Sequence, residues 1–361
     1  MAISMINFRR TVFSMLNNAI DWSSRVENLD VEKLRLFFSD EEEKEFRNYF
    51  ESTRIDTNSG FFAVEFSDKD CNRYLIVSSN PERNVIPFSD HDFIYKEPSL
   101  FELGVLQKEK ILCLANNISS DDILNTISIY DDNEYIGNTF EDIYRFFQPF
   151  EVYQINGDLA VLDYEDPYAL YSYYLLKCHL YGNSNYSEYT LDAFEQLILE
   201  QIEIPYRNLA YALQSFQWPF RFLETYRLIE HAFPVTYISE LKNIGISDSP
   251  IKISMLLENI VDWRPKEDKA IEKIFNEIQS VDSFDDIVNR MSGLIKDSTK
   301  LPKWYYEQVR NQIVHYRSIH KNVSFEDDEW DVLINFNLLL IRYLYTTYHD
   351  CVTAWNSVDD K

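Results

Sequence analysis

Seven glycines in 361 residues are the tightest constraint that this chain carries. Glycine supplies the positive-φ corners of tight hairpins and the bare backbone of phosphate-cradling loops. A chain this short of it is a poor candidate for a turn-dense all-β fold or a Gly-rich nucleotide loop. Its order has to come mainly from helices. No Walker loop, GxGxxG, GxSxG or HExxH pattern occurs. The length suits two or three domains, and 45% hydrophobic residues are enough for a packed interior.

Hydrophobic patterning divides the chain. Residues 1 to about 165 are mixed. MINFRRTVFSMLNNAI (5–20) has the spacing of an amphipathic helix, and SDEEEKEFRNYFES (39–52) opens with Ser39 and Glu42 spaced as a capping box. The runs GFFAVEF, NRYLIVSS, EKILCLAN and EVYQINGDLAVLDYE are strand-like, and Asn156-Gly157-Asp158 suits a hairpin turn. These features predict an α+β domain over 1–165, of unknown sensor or regulatory role.

From 166 onward strand signals fade. Helical periodicity covers DPYALYSYYLLKCHLYG, DAFEQLILEQIEI and YRNLAYALQSFQ, a helical connecting region over 166–214. WPFRFLETYRLIEHAF follows, with Pro219 in its first turn and Pro234 expected to stop it. PIKISMLLENIVDW, EDKAIEKIFNEIQ, DDIVNRMSGLIK with Ser283 as a cap-like start, PKWYYEQVRNQIVHYR and DEWDVLINFNLLLIRYLYTTYHDCV complete the series. The expectation is an α+β N-terminal domain followed by an all-α C-terminal bundle over 215–361, helix-rich overall.

Net charge is −26. Such a surface keeps the chain soluble and opposes non-specific nucleic-acid binding, so nucleic acid has to meet a local basic island or arrive with a basic partner. Cys71, Cys113, Cys178 and Cys351 are widely spaced and suit reduced thiols in a cytoplasmic protein. The N-terminus is a poor signal peptide, and NFNLLLIRYLYTTY is too short and too polar for a bilayer span. No membrane partner is expected.

Asp90-His91-Asp92 resembles a metal cluster, but with 60 acidic residues such neighbours arise freely. The same abundance makes short Glu-x-Lys steps uninformative as marks of a metal nuclease in the N-terminal domain. No metal site and no cofactor is expected.

RNQIVHYR (310–317) is the most informative stretch. On a helix starting near Pro302, Tyr305, Val309, Ile313 and Tyr316 form an apolar stripe, and Glu307, Asn311 and His315 form a polar stripe beside it. Arg310 reaches the polar edge, and Arg317 lines up with it two turns on. Between Lys296 and Lys321, six basic residues (Lys296, Lys300, Lys303, Arg310, Arg317, Lys321) face two acidic ones, a net of +4. Such an island can hold phosphate. Equally, Arg310 can pair with Glu307 or an acid on the next helix, and His315 can be a hydrogen bonder at the core edge.

Arg310-Asn311-Gln312-Ile313-Val314-His315, followed by a final long apolar helix, resembles the HEPN superfamily. That family's motif is Arg, four to six residues, then His. FRFLETYRLIEHAF resembles a helix of bacterial defence-type proteins that carry such a domain. The resemblance covers about 215–361. The bare spacing is unspecific, since roughly one chance match is expected for 17 Arg and six His, and Arg342 to His349 is a second.

The resemblance implies a metal-independent endoribonuclease. Arg310, Asn311 and His315 would be catalytic, and Lys303, Arg317 and Lys321 would contact RNA. Glu230 and His231 are possible accessories. Products would be a 2′,3′-cyclic phosphate and a 5′-OH. The resemblance further implies a homodimer through the bundle, and a toxin or antiphage effector held off by an inhibitor, antitoxin or phage-derived trigger. The alternative is a non-catalytic HEPN-like binding or scaffold protein in a defence or toxin–antitoxin complex.

Overall fold

The computed structural model describes residues 2–23, 30–48, 50–57, 61–78, 90–127, 137–159, 165–200, 202–242, 253, 257, 266–295, 300–314 and 324–349, with 237–242 described as backbone only. The chain is helix-rich with one small antiparallel sheet, and it divides into two compact units, Met1–Leu162 and Asp163–Lys361. Among the described residues no helix is long and apolar enough to cross a membrane.

The first unit begins with α1 (Met5–Ala19), capped by Ser4, whose side chain accepts from the Asn7 amide. Phe8, Val12, Phe13 and Leu16 form its buried stripe. α2 (Asp40–Arg47) starts with the expected Ser39/Glu42 capping box. Strands β1 (Glu51–Ile55), β2 (Ala63–Ser67), β3 (Arg73–Ser78), β4 (Phe93–Lys96) and β5 (Phe150–Ile155) pair antiparallel in the order β1-β2-β3-β5-β4. Between β4 and β5 lie α3 (Leu100–Lys108), α4 (Ser120–Ile127) and α5 (Phe140–Tyr144). Val64, Phe66, Ile76 and Val152 on one sheet face share a core with Phe8, Phe46, Phe101 and Leu103 from the helices. Gly104 permits that approach, because a Cβ there would stand 3.0 Å from the Phe46 ring.

Two strand expectations change. EKILCLAN is not a strand. α3 occupies 100–108, Lys110 turns through φ 59°, and only an isolated bridge from Leu114 to Phe147 follows. The chain leaves β5 through a turn in which the Leu159 amide donates to the Asn156 carbonyl, and the far arm of the expected hairpin, 160–164, lies outside the described residues.

The second unit is helical in all its assigned elements. Residues 166–214 contribute α6 (Pro167–Tyr181), α7 (Glu188–Leu199) and α8 (Tyr206–Gln214) to it. α9 (Trp218–Lys242) does not stop at Pro234 but runs through it. Proline lacks the N–H that would bond the carbonyl four residues back, here that of Glu230. Tertiary packing outweighs that loss, because Phe233, Val235 and Thr236 around the proline are all buried.

α10 (Glu267–Ile278) follows. Next comes α11 (Asp285–Gly293), entered from a 3₁₀ turn at Asp282–Phe284 rather than from a Ser283 cap. The expected helix over 250–263 falls outside the described residues, apart from 253 and 257. α12 is composite. It is α-helical over Leu301–Trp304, π-helical over Tyr305–Arg310 and α-helical again over Asn311–Val314. α13 (Asp327–Thr347) is the central strut, with twelve residues from Trp330 to Leu344 among its buried set. An aromatic core joins α9, α10, α12 and α13. Tyr305 lies 5.8 Å from Tyr226, 5.6 Å from Phe275 and 5.6 Å from Phe336, centroid to centroid.

Candidate functional site

The site has to be built from the π turn. An α-helix carries 3.6 residues per turn, and a π segment inserts extra backbone, with hydrogen bonds running five residues back. Here the Asn311 amide donates to the Tyr306 carbonyl. The turn changes the phase expected from α periodicity. Tyr305 and Val309 are fully buried, Ile313 is only half-buried, and Val314 is exposed. Arg310 is drawn inward instead, leaving 11% of its side chain accessible.

Three helices meet on that guanidinium. Nη2 of Arg310 donates to Glu230 Oε1 of α9 at 2.7 Å and lies 2.8 Å from Glu267 Oε2 at the start of α10. Nη1 donates to Asn311 Oδ1 at 2.9 Å. The planar group also sits 5.6 Å from the Tyr226 ring centre and 5.7 Å from that of Tyr306, within cation–π range. Nε is buried and has no hydrogen-bond partner among the described residues. Burial alone would lower the Arg310 pKa. The hydrogen bond it donates to Glu230 and the Glu267 carboxylate outweigh that and hold it above the ordinary arginine value.

Beneath the guanidinium is an orphan. Tyr226 is buried, and its hydroxyl has no hydrogen-bond partner among the described residues. Burial, and then the Glu230 charge, push that phenol well above its ordinary value, so it stays neutral. Neighbouring Tyr305 is satisfied. Its hydroxyl donates to Asn337 Oδ1 at 2.6 Å, and Asn337 Nδ2 donates to Thr225 Oγ1 at 2.8 Å.

The named candidates separate as follows. Arg310, Asn311 and Glu230 come together. His231, next to Glu230, turns the other way. Its Nδ1 lies 2.9 Å from the Tyr345 hydroxyl, with the rings nearly parallel at 7°. Burial lowers its pKa to about 4, so it is neutral at neutral pH. Lys303 is exposed and lies 3.8 Å from Glu307, which is also exposed, so Glu307 is not the acid that holds Arg310. His315, Arg317 and Lys321 lie outside the described residues. Arg342 is engaged elsewhere, donating from Nε and Nη2 to Glu200 at 2.6 Å each.

Asp90 has a structural task. Its Oδ1 accepts the amides of Asp92 and Phe93 at 2.8 and 2.9 Å, starting β4. Among the described residues no group of three or more His, Cys, Asp or Glu is placed to hold a metal ion.

Sequence reasoning missed Glu267 and Tyr226. Glu267 stands 43 positions before Arg310 as an ordinary first-turn acid, and nothing local ties the two together. Tyr226 could have been found. It lies one helical turn before Glu230, on the face that the aromatic spacing marks as core.

Chemically, the cluster is a forked cation held by two carboxylates over neutral rings, with a formal charge of −1. It can bind a phosphate only if the phosphate displaces at least one carboxylate. No protein-family model matches the chain, and no curated protein and no solved structure matches it either.

Proposed function

We propose that the second unit is a HEPN-like bundle acting as a metal-independent endoribonuclease. The observation that carries the reading is the assembly of Arg310, Asn311 and Glu230 from two helices at the end of a π turn, five residues before His315. π turns recur at functional sites, where they place one side chain out of helical phase. RNA cleavage needs the 2′-OH deprotonated, the phosphorane charge stabilised and the 5′-oxygen protonated. A histidine with an ordinary pKa near 6.5 can serve as base or acid, and Arg310 can fork onto the phosphate oxygens. Asn311 orients the guanidinium. Products are a 2′,3′-cyclic phosphate and a 5′-OH.

The two carboxylates on Arg310 suit a restrained enzyme. They occupy the donors that a phosphate would take, so activity waits on their release. In this reading the active form is a homodimer with facing motifs, and the first unit senses the trigger of a toxin or antiphage effector. That biological setting rests on the family resemblance alone.

The same ion triad also favours a second reading. Both Nη nitrogens of Arg310 are already engaged, as in a bundle that binds partners without catalysis. The two readings part on cleavage of total cellular RNA in EDTA, with end-chemistry mapping. The nuclease reading expects wild-type cleavage leaving 5′-OH ends, lost in His315→Ala and Arg310→Lys, and raised when Glu267→Gln frees the guanidinium. If none of these proteins cleaves, the Glu267→Gln variant included, the nuclease reading falls and the scaffold stands.

A further inference from the structure

The first unit holds a cleft of about 750 Å³, at the upper end of the size that a drug-sized ligand fills. Three helix starts converge on it, for Ser39, Ser99 and Thr139 all line it, and each is the N-cap of a capping box. Positive helix ends would ordinarily invite an anion. Here they are already answered by Glu42, Glu102 and Asp142 of the same chain, and Glu42 also accepts the Leu100 amide at 3.1 Å. Asp68 is likewise engaged, accepting from two backbone amides at 2.9 Å and from the Tyr74 hydroxyl at 3.2 Å.

What remains is unneutralised. Eight carboxylates and two lysines, Lys69 and Lys96, line the cleft, a formal net of −6. Beyond the three already engaged, Glu41, Glu45, Asp70, Glu97 and Glu141 form no ion pair with a described residue. Glu45 registers the strain. Burial, followed by the charges of Glu102, Glu42, Glu41 and Asp68, pushes its carboxyl up to about 7. A cation brought into the cleft would relieve that repulsion.

The cleft is also aromatic. Phe37, 44% exposed, Tyr74 and Phe140 are its accessible rings, and Tyr74 is stacked on Phe66 at 4.8 Å. Phe50 of the same lining is buried and carries the Lys108 ammonium 4.3 Å from its ring centre. Free carboxylates beside ring faces match one side chain best. Guanidinium forks onto carboxylates and stacks flat on aromatic rings, whereas an ammonium is a point charge with no planar face to do either.

We propose that this cleft docks an arginine-bearing segment of a protein partner. Charge complementarity selects the sign of the occupant, and the rings select arginine over lysine or a polyamine. The proposal rests on the first unit alone and is independent of any ribonuclease activity.

The test is fluorescence anisotropy of a labelled Arg/Ser peptide against the full chain at about 150 mM salt, where diffuse attraction is screened beyond roughly 8 Å. A matched Lys/Ser peptide and spermine serve as competitors. The cleft variant is Glu45→Gln/Asp70→Asn/Glu97→Gln. The control removes three exposed acids elsewhere, Glu203→Gln/Asp282→Asn/Asp285→Asn. We expect the cleft variant to weaken peptide binding about tenfold or more, with less than about a twofold change in the control. Phe37→Ala should weaken the arginine peptide more than the lysine one. Absence of peptide binding, equal loss in both variants, or spermine and the lysine peptide competing as well as the arginine peptide would each overturn the proposal. Unchanged circular dichroism of the variants separates lost binding from lost fold.

Discussion

The two units handle acidic side chains in opposite ways. In the second unit, Glu230 and Glu267 are drawn onto one largely buried arginine. In the first, five carboxylates ring an open cleft with no described ion pair. A carboxylate pair that has its cation is costly to break. One that lacks it stores repulsion that a ligand can release. In a chain with a charge of −26, paired acids therefore hold structure and unpaired ones are left for binding.

The hardest way to break the contrast is to remove the cation. Arg310→Met leaves two carboxylates facing each other over buried phenols. It should destabilise the second unit by about 3 kcal/mol, the low end for a broken buried pair because both acids keep some solvent. Adding Glu230→Gln and Glu267→Gln should recover most of that. Urea unfolding followed by tryptophan fluorescence suits this, since five of the six tryptophans lie in the second unit. A single variant as stable as wild type would show that the triad contributes nothing.

Acid is the next lever. His231 is neutral in the fold down to about pH 4, while the unfolded chain takes up the proton near 6.5. Stability of the second unit should therefore fall as pH drops from about 6.5 to 4, by about 2–3 kcal/mol, and the loss is complete below that window. His231→Gln should flatten this part of the profile. Thermal melts over the window measure it, and parallel wild-type and variant profiles would refute the assignment.

Smaller still is Tyr226→Phe. Deleting a buried hydroxyl without a described partner should stabilise the second unit by about 1 kcal/mol. Destabilisation in urea unfolding would mean that the hydroxyl has a bonding role.

The smallest effect falls in the first unit. Glu45 has a folded pKa raised to about 7, so its ionisation opposes folding as pH rises through 4.5 to 7. Glu45→Gln should stabilise by about 0.5–1 kcal/mol at pH 8 and not at all at pH 4. The figure is discounted because the carboxyl is only partly buried. Calorimetry at the two pH values checks it, and equal shifts at both would exclude repulsion as the cause.

Much of this organisation could be read from residue order, and the failures have causes. Ser39 and Glu42 announce the start of α2, because a capping box is a local event between residues three apart. The apolar stripe of α1 follows from periodicity for the same reason. Pro234 misleads, since its effect on a helix is decided by what packs around it, here buried Phe233, Val235 and Thr236. EKILCLAN misleads because its β-like composition is overridden by the helix just before it and the positive φ at Lys110. At the candidate site, Arg310 and Asn311 stand out by type and spacing. Glu267 and the orphan hydroxyl of Tyr226 are long-range facts, and no window of neighbouring residues contains them.

The π turn at Tyr305–Arg310 has a consequence for how such a site could arise. A π turn takes up one extra residue, so the helix before and after it can keep its faces while a side chain within the turn is shifted by about 100°. A surface arginine and an interior one can thus differ by a single inserted codon rather than by a substitution. The arginine then arrives among acids that were already there, and the core residues Trp304 and Tyr305 upstream need not change at all.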